Sequence, residues 1–385
     1  MAGDAPDGRS SAFQRFFLPG LAFKAVVIGG GYATGRELAE FFLPSGAWGG
    51  LAAILLAMGV FSLVCIATFL FAQAMRTWDY QSFFRALLGP GWVLFEFVYI
   101  LFVILILAVY GAAAGEMARA VFEVPALAGT VALMAGIALF VTFGNRSVER
   151  LFAYVSYLLY GVYALFVVIA FARFGDRIAA AFAAPATAAT DGWAIGGVTY
   201  ASYNLIGAIV ILPVIRHLVR PRDAVIAGAI AGPLAMLPGL LFFIAMAGFL
   251  PDISGAALPS DYILQRMGLP VFHLLFQLMI FSALLESGAS SVHAVNERID
   301  GAWRRRAGAP LGPRARLAIA LALLVGCMLL ATRFGLVALI AGGYRALAWV
   351  MLAVFIVPLA TIGMARLRSS AKAQPSGDDH VASPA

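Results

Sequence analysis

The chain has 385 residues, of which 63% are hydrophobic and only 12% carry a charge, and its mean hydropathy is +0.95. A soluble domain has about 25% charged residues, so this composition excludes a soluble protein and predicts an all-α polytopic membrane protein that lies in the lipid bilayer. The net charge of +7 is explained by basic loops on one membrane face rather than by a nucleic-acid partner. The two cysteines, Cys65 and Cys327, both fall in apolar stretches, which argues against a disulfide framework or a metal cage.

A polar tail at residues 1–18 is followed by ten apolar segments, each with about the 20 residues needed to cross a 30 Å hydrocarbon core. They are predicted as ten transmembrane helices at roughly 20–43, 47–74, 91–115, 125–144, 148–172, 194–215, 224–250, 270–296, 315–332 and 334–365. The polar stretches 76–90 and 252–269 predict short helices at the membrane surface. Residues 366–385 predict a disordered cytoplasmic tail.

The distribution of lysine and arginine predicts the orientation of the chain. With the N-terminus inside, the inner segments hold 18 of the 26 Lys and Arg residues and the outer segments hold 5. The positive-inside rule then places both termini in the cytoplasm, which agrees with an even number of spans. We predict a multi-pass protein of a bacterial-type cell (inner) membrane.

The stretch 173–193 is neither strongly apolar nor basic, and it divides the spans five and five. An odd number of spans in each half makes the second half enter the membrane from the opposite side. The halves 19–172 and 194–365 are therefore predicted to be inverted repeats, a common plan of transporters, joined by an external linker.

Glycines interrupt the first apolar segment at Gly29, Gly30, Gly31 and Gly35. Each costs about 0.8–1 kcal/mol relative to alanine in a helix interior, and an opened turn is tolerated in hydrocarbon only where it faces protein or a water-filled cavity. We predict a discontinuous helix whose free amides suit a substrate carboxylate; the alternative is a glycine-rich groove for close helix packing. The predicted substrate-binding residues of this segment are Gly29, Gly30, Gly31, Tyr32 and Thr34.

If the halves are related, the sixth segment is broken as the first is. Its middle carries Tyr200, Ser202, Tyr203 and Asn204, at a depth where an unsatisfied polar group costs several kcal/mol. We predict that Ser202, Tyr203 and Asn204 bind the amine or polar end of the substrate and that Tyr200 or Tyr203 packs against its side chain. The alternative is hydrogen bonding between helices, typically worth about 0.6 kcal/mol.

Three stretches of the sequence resemble the YkvI-like family of bacterial membrane proteins. They are Gly-Gly-Gly-Tyr-Ala-Thr-Gly-Arg-Glu at 29–37, Thr-Tyr-Ala-Ser-Tyr-Asn at 199–204, and the run from Glu286-Ser-Gly-Ala-Ser-Ser-Val-His293 through Glu297-Arg298. The likeness covers most of residues 19–365. That family is placed in the amino acid–polyamine–organocation superfamily, so the resemblance implies a LeuT-type five-plus-five inverted repeat and cation-coupled uptake of an amino acid or similar solute. One departure is Arg36, where the family pattern has a neutral, glutamine-like residue.

Serines in the eighth segment predict a cation site. Ser287, Ser290 and Ser291 share one face of a helix, and sodium, as a hard cation, prefers oxygen ligands. Their spacing is similar to that of the LeuT-type sodium site, which also takes two carbonyls before the first-span break. The resemblance assigns those carbonyls to Ala25 and Ile28, and small-residue packing is the alternative.

Three charged residues within the spans are predicted to serve in coupling or gating. Glu286 is an expensive intramembrane carboxylate that either titrates, which makes proton coupling the main rival to sodium coupling, or pairs with Lys24, Arg36 or Arg345. Arg36 and Glu37 lie one to two turns beyond the first break. They either form a gate with a partner or snorkel toward the interface.

Glu96, His273 and His293 are predicted to be hydrated side chains near span ends. The sequence has neither a nucleotide-binding signature nor the HExxH or GxSxG motif of a hydrolase, so we predict a transporter rather than an enzyme. It would bind a small-molecule substrate and need no cofactor beyond Na⁺ or H⁺ and no obligate protein partner. A channel and a membrane sensor with a transporter-like fold are the alternatives.

Overall fold

The computed structural model describes residues 11–143, 146–184 and 192–373, and within these residues the regular structure is all helical. The predicted segments 1–10, 185–191 and 374–385 lie outside the described residues. The helices are α1 Leu18–Val27, α2 Gly30–Ala33, α3 Arg36–Phe41, α4 Gly46–Met75, α5 Tyr80–Leu88, α6 Trp92–Phe122, α7 Ala126–Phe143, α8 Arg146–Ala183, α9 Trp193–Asn204, α10 Ile206–Val210, α11 Pro221–Ala247, α12 Pro259–Met267, α13 Pro270–Ala307, α14 Pro313–Ala338, α15 Arg345–Met351 and α16 Met364–Ala373.

Five helical stretches of the described chain are long and apolar enough to span a membrane by length and composition. They are Arg36–Met75, Tyr80–Phe122, Pro221–Ala247, Pro270–Ala307 and Pro313–Ser369, and a shorter apolar helix occupies Ala126–Thr142. Part of the difference from the ten predicted segments comes from how the chain bends. The first and sixth segments are divided into short helices, and the ninth and tenth form one stretch that bends at Gly335 (φ 74°, ψ 169°).

The first segment leaves the helical conformation at Ile28 (φ −78°, ψ 76°), directly before the glycines. Four residues of α2 follow, and the chain turns again at Gly35, whose φ of +79° is strained for any residue with a side chain. A Cβ at Gly35 would also lie 2.8 Å from the Phe242 ring. The glycines therefore open the backbone where the sequence analysis located the break.

The sixth segment departs less from helical geometry. Helix α9 ends at Asn204, and Leu205 (φ −66°, ψ −9°) separates it from the five residues of α10. The chain then forms turns up to His217. The interruption in this half is thus a tightening of the helix rather than an opened turn.

The second helices of the two halves, α4 and α11, pack against each other along small residues. A Cβ at Gly228 would collide with the backbone of Ile66, and the Ser62 hydroxyl donates to the Ala229 carbonyl at 2.9 Å. Small residues permit this close approach between helices in lipid. The contact brings the broken segments α1–α3 and α9–α10 to the centre of the bundle, since α1 packs on α11 and α9 packs on α4.

Two predicted boundaries need correction. Residues 366–373 belong to helix α16 rather than to a disordered tail, and the first part of the predicted linker, residues 173–183, continues α8 after a kink at Phe174. The short helices α5 and α12 lie in the stretches predicted as surface helices. Several of their apolar side chains, including Phe83 and Phe84 of α5, are fully buried against the bundle.

Candidate functional site

We call the two ends of the bundle the basic face and the α12 face. The basic face is the end at which α1 and α11 begin and α13 ends, and the α12 face is the opposite end. Helix α3 lies between the centre of the bundle and the α12 face, since it contacts the turn Asp252–Gly255 that precedes α12.

The centre of the candidate site is the carboxylate of Glu37. The Glu37 side chain is buried, and its Oε2 accepts a hydrogen bond of 2.6 Å from the Tyr203 hydroxyl, which joins α3 to α9. The rest of the side chain lies on Gly31, where a Cβ would collide with it. A carboxyl group of the chain itself therefore lies against the glycine turn at which a substrate carboxylate was predicted.

A small cavity of about 10 Å³, room for about one water molecule, lies beside this pair. Four of the predicted site residues line it, namely Gly29, Glu37, Tyr203 and Asn204. The other lining residues are Val26, Val27, Phe102, Ile106, Tyr110, Ile206 and Tyr344. Residues of the first and sixth segments therefore line one cavity beside Glu37.

Two other predicted substrate residues form their side-chain hydrogen bonds away from this cavity. The Thr34 hydroxyl donates to the Gly31 carbonyl at 3.0 Å, and the Ser202 hydroxyl donates to the Val198 carbonyl at 2.6 Å. Such bonds to a nearby carbonyl of the same segment are a common alternative for short polar side chains. Neither hydroxyl is directed into the central cavity.

Tyr32 and Tyr200 also differ from the prediction. The Tyr32 hydroxyl donates to the Ala235 carbonyl at 3.2 Å, and the residue lines a separate apolar cavity of about 410 Å³. Tyr200 lies among the aromatic rings of Phe41, Phe42 and Tyr203, with centroid distances of 4.9–6.0 Å. These rings are buried, and Tyr203 is the one among them that lines the central cavity.

The Arg36 side chain connects α3 to the segment before α12 through hydrogen bonds. Its Nη1 donates to the carbonyls of Ser254 and Ala256 at 3.1 and 2.9 Å, and its Nη2 forms an ion pair with Glu40 at 2.7 Å. Arg345 approaches the same Glu40 carboxylate at 3.5 Å. The snorkelling alternative is wrong for Arg36, because the side chain is only 6% exposed.

A second cavity, of about 330 Å³, brings together all five predicted sodium ligands and Glu286. Its lining extends from Tyr110 and Ser287 to Tyr99 and Ala294, two to three helical turns nearer the basic face. The Ser291 hydroxyl donates to the Ser287 carbonyl at 2.8 Å. The oxygens of this helix face are therefore adjacent to the break of the first segment. The predicted ligands in the cavity are Ala25, Ile28, Ser287, Ser290 and Ser291.

Two ion pairs at the basic face were missed in the sequence analysis. Arg15 forms a bidentate pair with Asp223 at 2.6 and 3.0 Å, and this hydrogen bonding raises the pKa of the Arg15 guanidinium. Arg298 pairs with Glu96 at 2.9 Å and lies over the rings of Tyr80 and Tyr99. The prediction of a merely hydrated Glu96 is wrong. The signal available was the presence of oppositely charged residues near the basic-face ends of different segments.

No cluster of three or more His, Cys, Asp or Glu side chains in the described part of the chain has the arrangement of a metal site. His273, predicted to be hydrated, instead contacts Asp261 of α12 at 2.6 Å, and Gln277 donates to the same carboxylate at 2.8 Å. These residues join α12 to α13.

The chain is similar to the uncharacterized membrane protein YkvI of Bacillus subtilis (strain 168), with 25% identity over 293 residues, covering 76% of this chain and 82% of YkvI. No family model matches the chain. Its structure aligns with that of MhsT in complex with L-phenylalanine over 96% of this chain and 99% of MhsT, with a TM-score of 0.54 and 17% identity.

Two further solved structures share the fold. One is a Na⁺-coupled sialic acid symporter in a substrate-bound outward-open state, with a TM-score of 0.61, 13% identity and coverage of 92% of this chain and 82% of the symporter. The other is a mutant of the Eremococcus coleocola manganese transporter, with a TM-score of 0.52, 16% identity and coverage of 92% and 81%. This chain is therefore a membrane protein with the LeuT-type transporter fold and is similar to YkvI.

Proposed function

We propose that this chain is a secondary transporter that couples Na⁺ to the symport of a small solute, an amino acid or related zwitterion, by alternating access. The observation that carries the proposal is the 330 Å³ cavity, where the Ser287, Ser290 and Ser291 face of α13 meets Ala25 and Ile28 at the break of the first segment. Carbonyl and hydroxyl oxygens suit a hard cation. A broken helix beside a central cavity is the usual plan of a coupled transporter.

The same proposal includes the ten spans as two inverted five-helix halves, 19–172 and 194–365, with the basic face in the cytoplasm of a bacterial-type cell. The described conformation supports a cycle in which the α12 face is closed by Arg36 and the aromatic rings while the cation cavity extends toward the basic face. Substrate and ion would then leave toward the cytoplasm.

Proton coupling is the second candidate, because Glu286 lines the same cavity as the serines. A carboxylate within a span is a functional candidate by default. The two candidates differ in which ion gradient drives accumulation and in which side chain is required.

The test is uptake of radiolabelled amino acids into liposomes that contain the full-length chain, with an imposed sodium gradient or an imposed pH gradient. Sodium-driven, saturable uptake is expected. The double variant Ser290→Ala, Ser291→Ala should raise the sodium concentration for half-maximal uptake severalfold. Ser282→Ala is the matched control, since that hydroxyl donates within α13 to Leu278, outside the cavity.

The other outcomes have distinct meanings. Uptake driven by a pH gradient and lost with Glu286→Gln would move the coupling to protons. Ligand binding without accumulation under either gradient would refute transport and favour a sensor.

A further inference from the structure

Glu37 is a buried carboxyl group beside which the described side chains supply no cation. Its side chain is in no ion pair with a described Lys, Arg or His, and its hydrogen-bond partner is the neutral Tyr203 hydroxyl. The neighbouring Arg36 guanidinium is bound to Glu40 and to loop carbonyls instead. Burying a carboxylate is costly unless a positive or hydrogen-bonding partner compensates for the lost water. A positive group bound beside Glu37 would compensate for this burial further than the single Tyr203 hydrogen bond does.

The walls of the central cavity indicate which positive group fits. The rings of Phe102, Tyr110, Tyr203 and Tyr344 line it, and the Tyr203 and Tyr344 centroids are 4.6 Å apart. Aromatic faces attract organic cations. Sodium requires a shell of several oxygens, whereas much of this lining is aliphatic or aromatic carbon. An alkylammonium group, with its hydrogen-bond donors and hydrocarbon stem, matches both features. The cavity holds about one water molecule in the described conformation, so it must widen to admit this group.

We propose that the Glu37 carboxylate is the counter-ion of the substrate's ammonium group, so that the site selects amines and rejects anions that lack an amine. This inference rests on the proposed function only in placing the substrate at the central cavity. It reverses the polarity predicted from the glycine amides, because Glu37 itself covers Gly31. An amine without a carboxylate should therefore bind as well as the corresponding amino acid.

The test is equilibrium binding to the purified full-length chain in sodium-containing buffer, measured by thermal stabilisation and isothermal titration calorimetry. The probes are three matched trios: alanine, ethylamine and propionate; leucine, 3-methylbutylamine and 4-methylpentanoate; phenylalanine, 2-phenylethylamine and 3-phenylpropanoate. Amino acid and amine should bind in at least one trio, and the acid should bind in none. Binding of any of these acids, or of none of the nine compounds, overturns the proposal.

Substitution of Glu37 tests whether this residue is responsible for the selectivity for amines. Glu37→Gln should weaken amine binding at least about tenfold, because a charge-assisted hydrogen bond is lost. Glu116→Gln is the control, since Glu116 pairs with the exposed Arg119 near the end of α6. Unchanged amine affinity in a folded Glu37→Gln protein overturns the proposal.

A second variant covers the case in which Glu37→Gln does not fold. Tyr203→Phe keeps the carboxylate and removes only its hydroxyl partner, so the preference for amine over acid must persist, and its loss overturns the proposal. Binding needs no gradient, which separates this test from that of transport. Amine-selective binding without accumulation refutes transport alone, whereas accumulation of an acid without an amine refutes the role of Glu37 alone.

Discussion

The packing of Glu37 on Gly31 can be tested by adding a single methyl group. In Gly31→Ala, the new Cβ would lie 2.8 Å from both Cγ and Cδ of Glu37 and would overlap its carboxylate oxygen. Ordinary van der Waals contact begins near 3.4 Å, so the carboxylate must move. It cannot move without lengthening its 2.6 Å hydrogen bond from Tyr203.

The expected destabilisation follows from these contacts. Overpacking a tight site costs about 1–3 kcal/mol, and losing a hydrogen bond to a charged group costs about 1.5–3 kcal/mol. The two costs are not additive, because moving the carboxylate relieves the clash. The higher helix propensity of alanine relative to glycine offsets about 1 kcal/mol of the loss. We expect a net loss of about 2 kcal/mol in the free energy of unfolding.

The assay is the apparent Tm of the detergent-purified protein, followed by intrinsic fluorescence. Gly59→Ala is the control, because a Cβ at Gly59 meets nothing within 4 Å, and it should leave Tm unchanged or raise it. Gly31→Ala should lower Tm clearly in the wild-type chain and hardly at all in a Glu37→Ala background. An equal loss of Tm in both backgrounds would refute the contact between Gly31 and Glu37.

Three further predictions concern the two faces of the bundle. Arg36→Ala should raise amide hydrogen exchange in the segment before α12 about tenfold, measured by mass spectrometry, because its carbonyl contacts are lost. Arg15→Ala should lower the free energy of unfolding only slightly, the effect of a partly exposed ion pair, measured as a small fall in apparent Tm. Arg298→Ala should lower the free energy of unfolding by about 1–3 kcal/mol through the lost ion pair and ring contacts, whereas Arg305→Ala, on an exposed residue, should change it little.

Features set by local physical chemistry could be predicted from the sequence. The opened turn at Ile28 follows from the glycines, since their cost in a helix does not depend on tertiary partners. The shared position of Ser287, Ser290 and Ser291 in one cavity follows from helical periodicity and the length of the spans. The bilayer thickness similarly sets the approximate extent of the apolar segments.

Features set by distant partners could not be predicted. The partner of Glu37 is Tyr203, 166 residues away, and no local pattern distinguishes this tyrosine from Tyr200 three residues earlier. Ser202 was assigned to the substrate because it is polar, but a serine in a helix can satisfy its hydroxyl with the carbonyl four residues earlier. Composition alone does not show which of these outcomes a polar side chain adopts.

Helix α3 joins the closed α12 face to the candidate substrate site, because Arg36 and Glu37 are adjacent on an element of only six residues. Arg36 holds the segment before α12 and Glu37 holds Tyr203, so a displacement of α3 changes both contacts. Arg36→Ala should therefore also weaken binding of the amine probes severalfold, although Arg36 does not line the central cavity. Arg345→Ala is the control, since that side chain reaches Glu40 only at 3.5 Å and is 58% exposed. Faster exchange before α12 with unchanged amine affinity would show that the two contacts are independent and that α3 does not couple them.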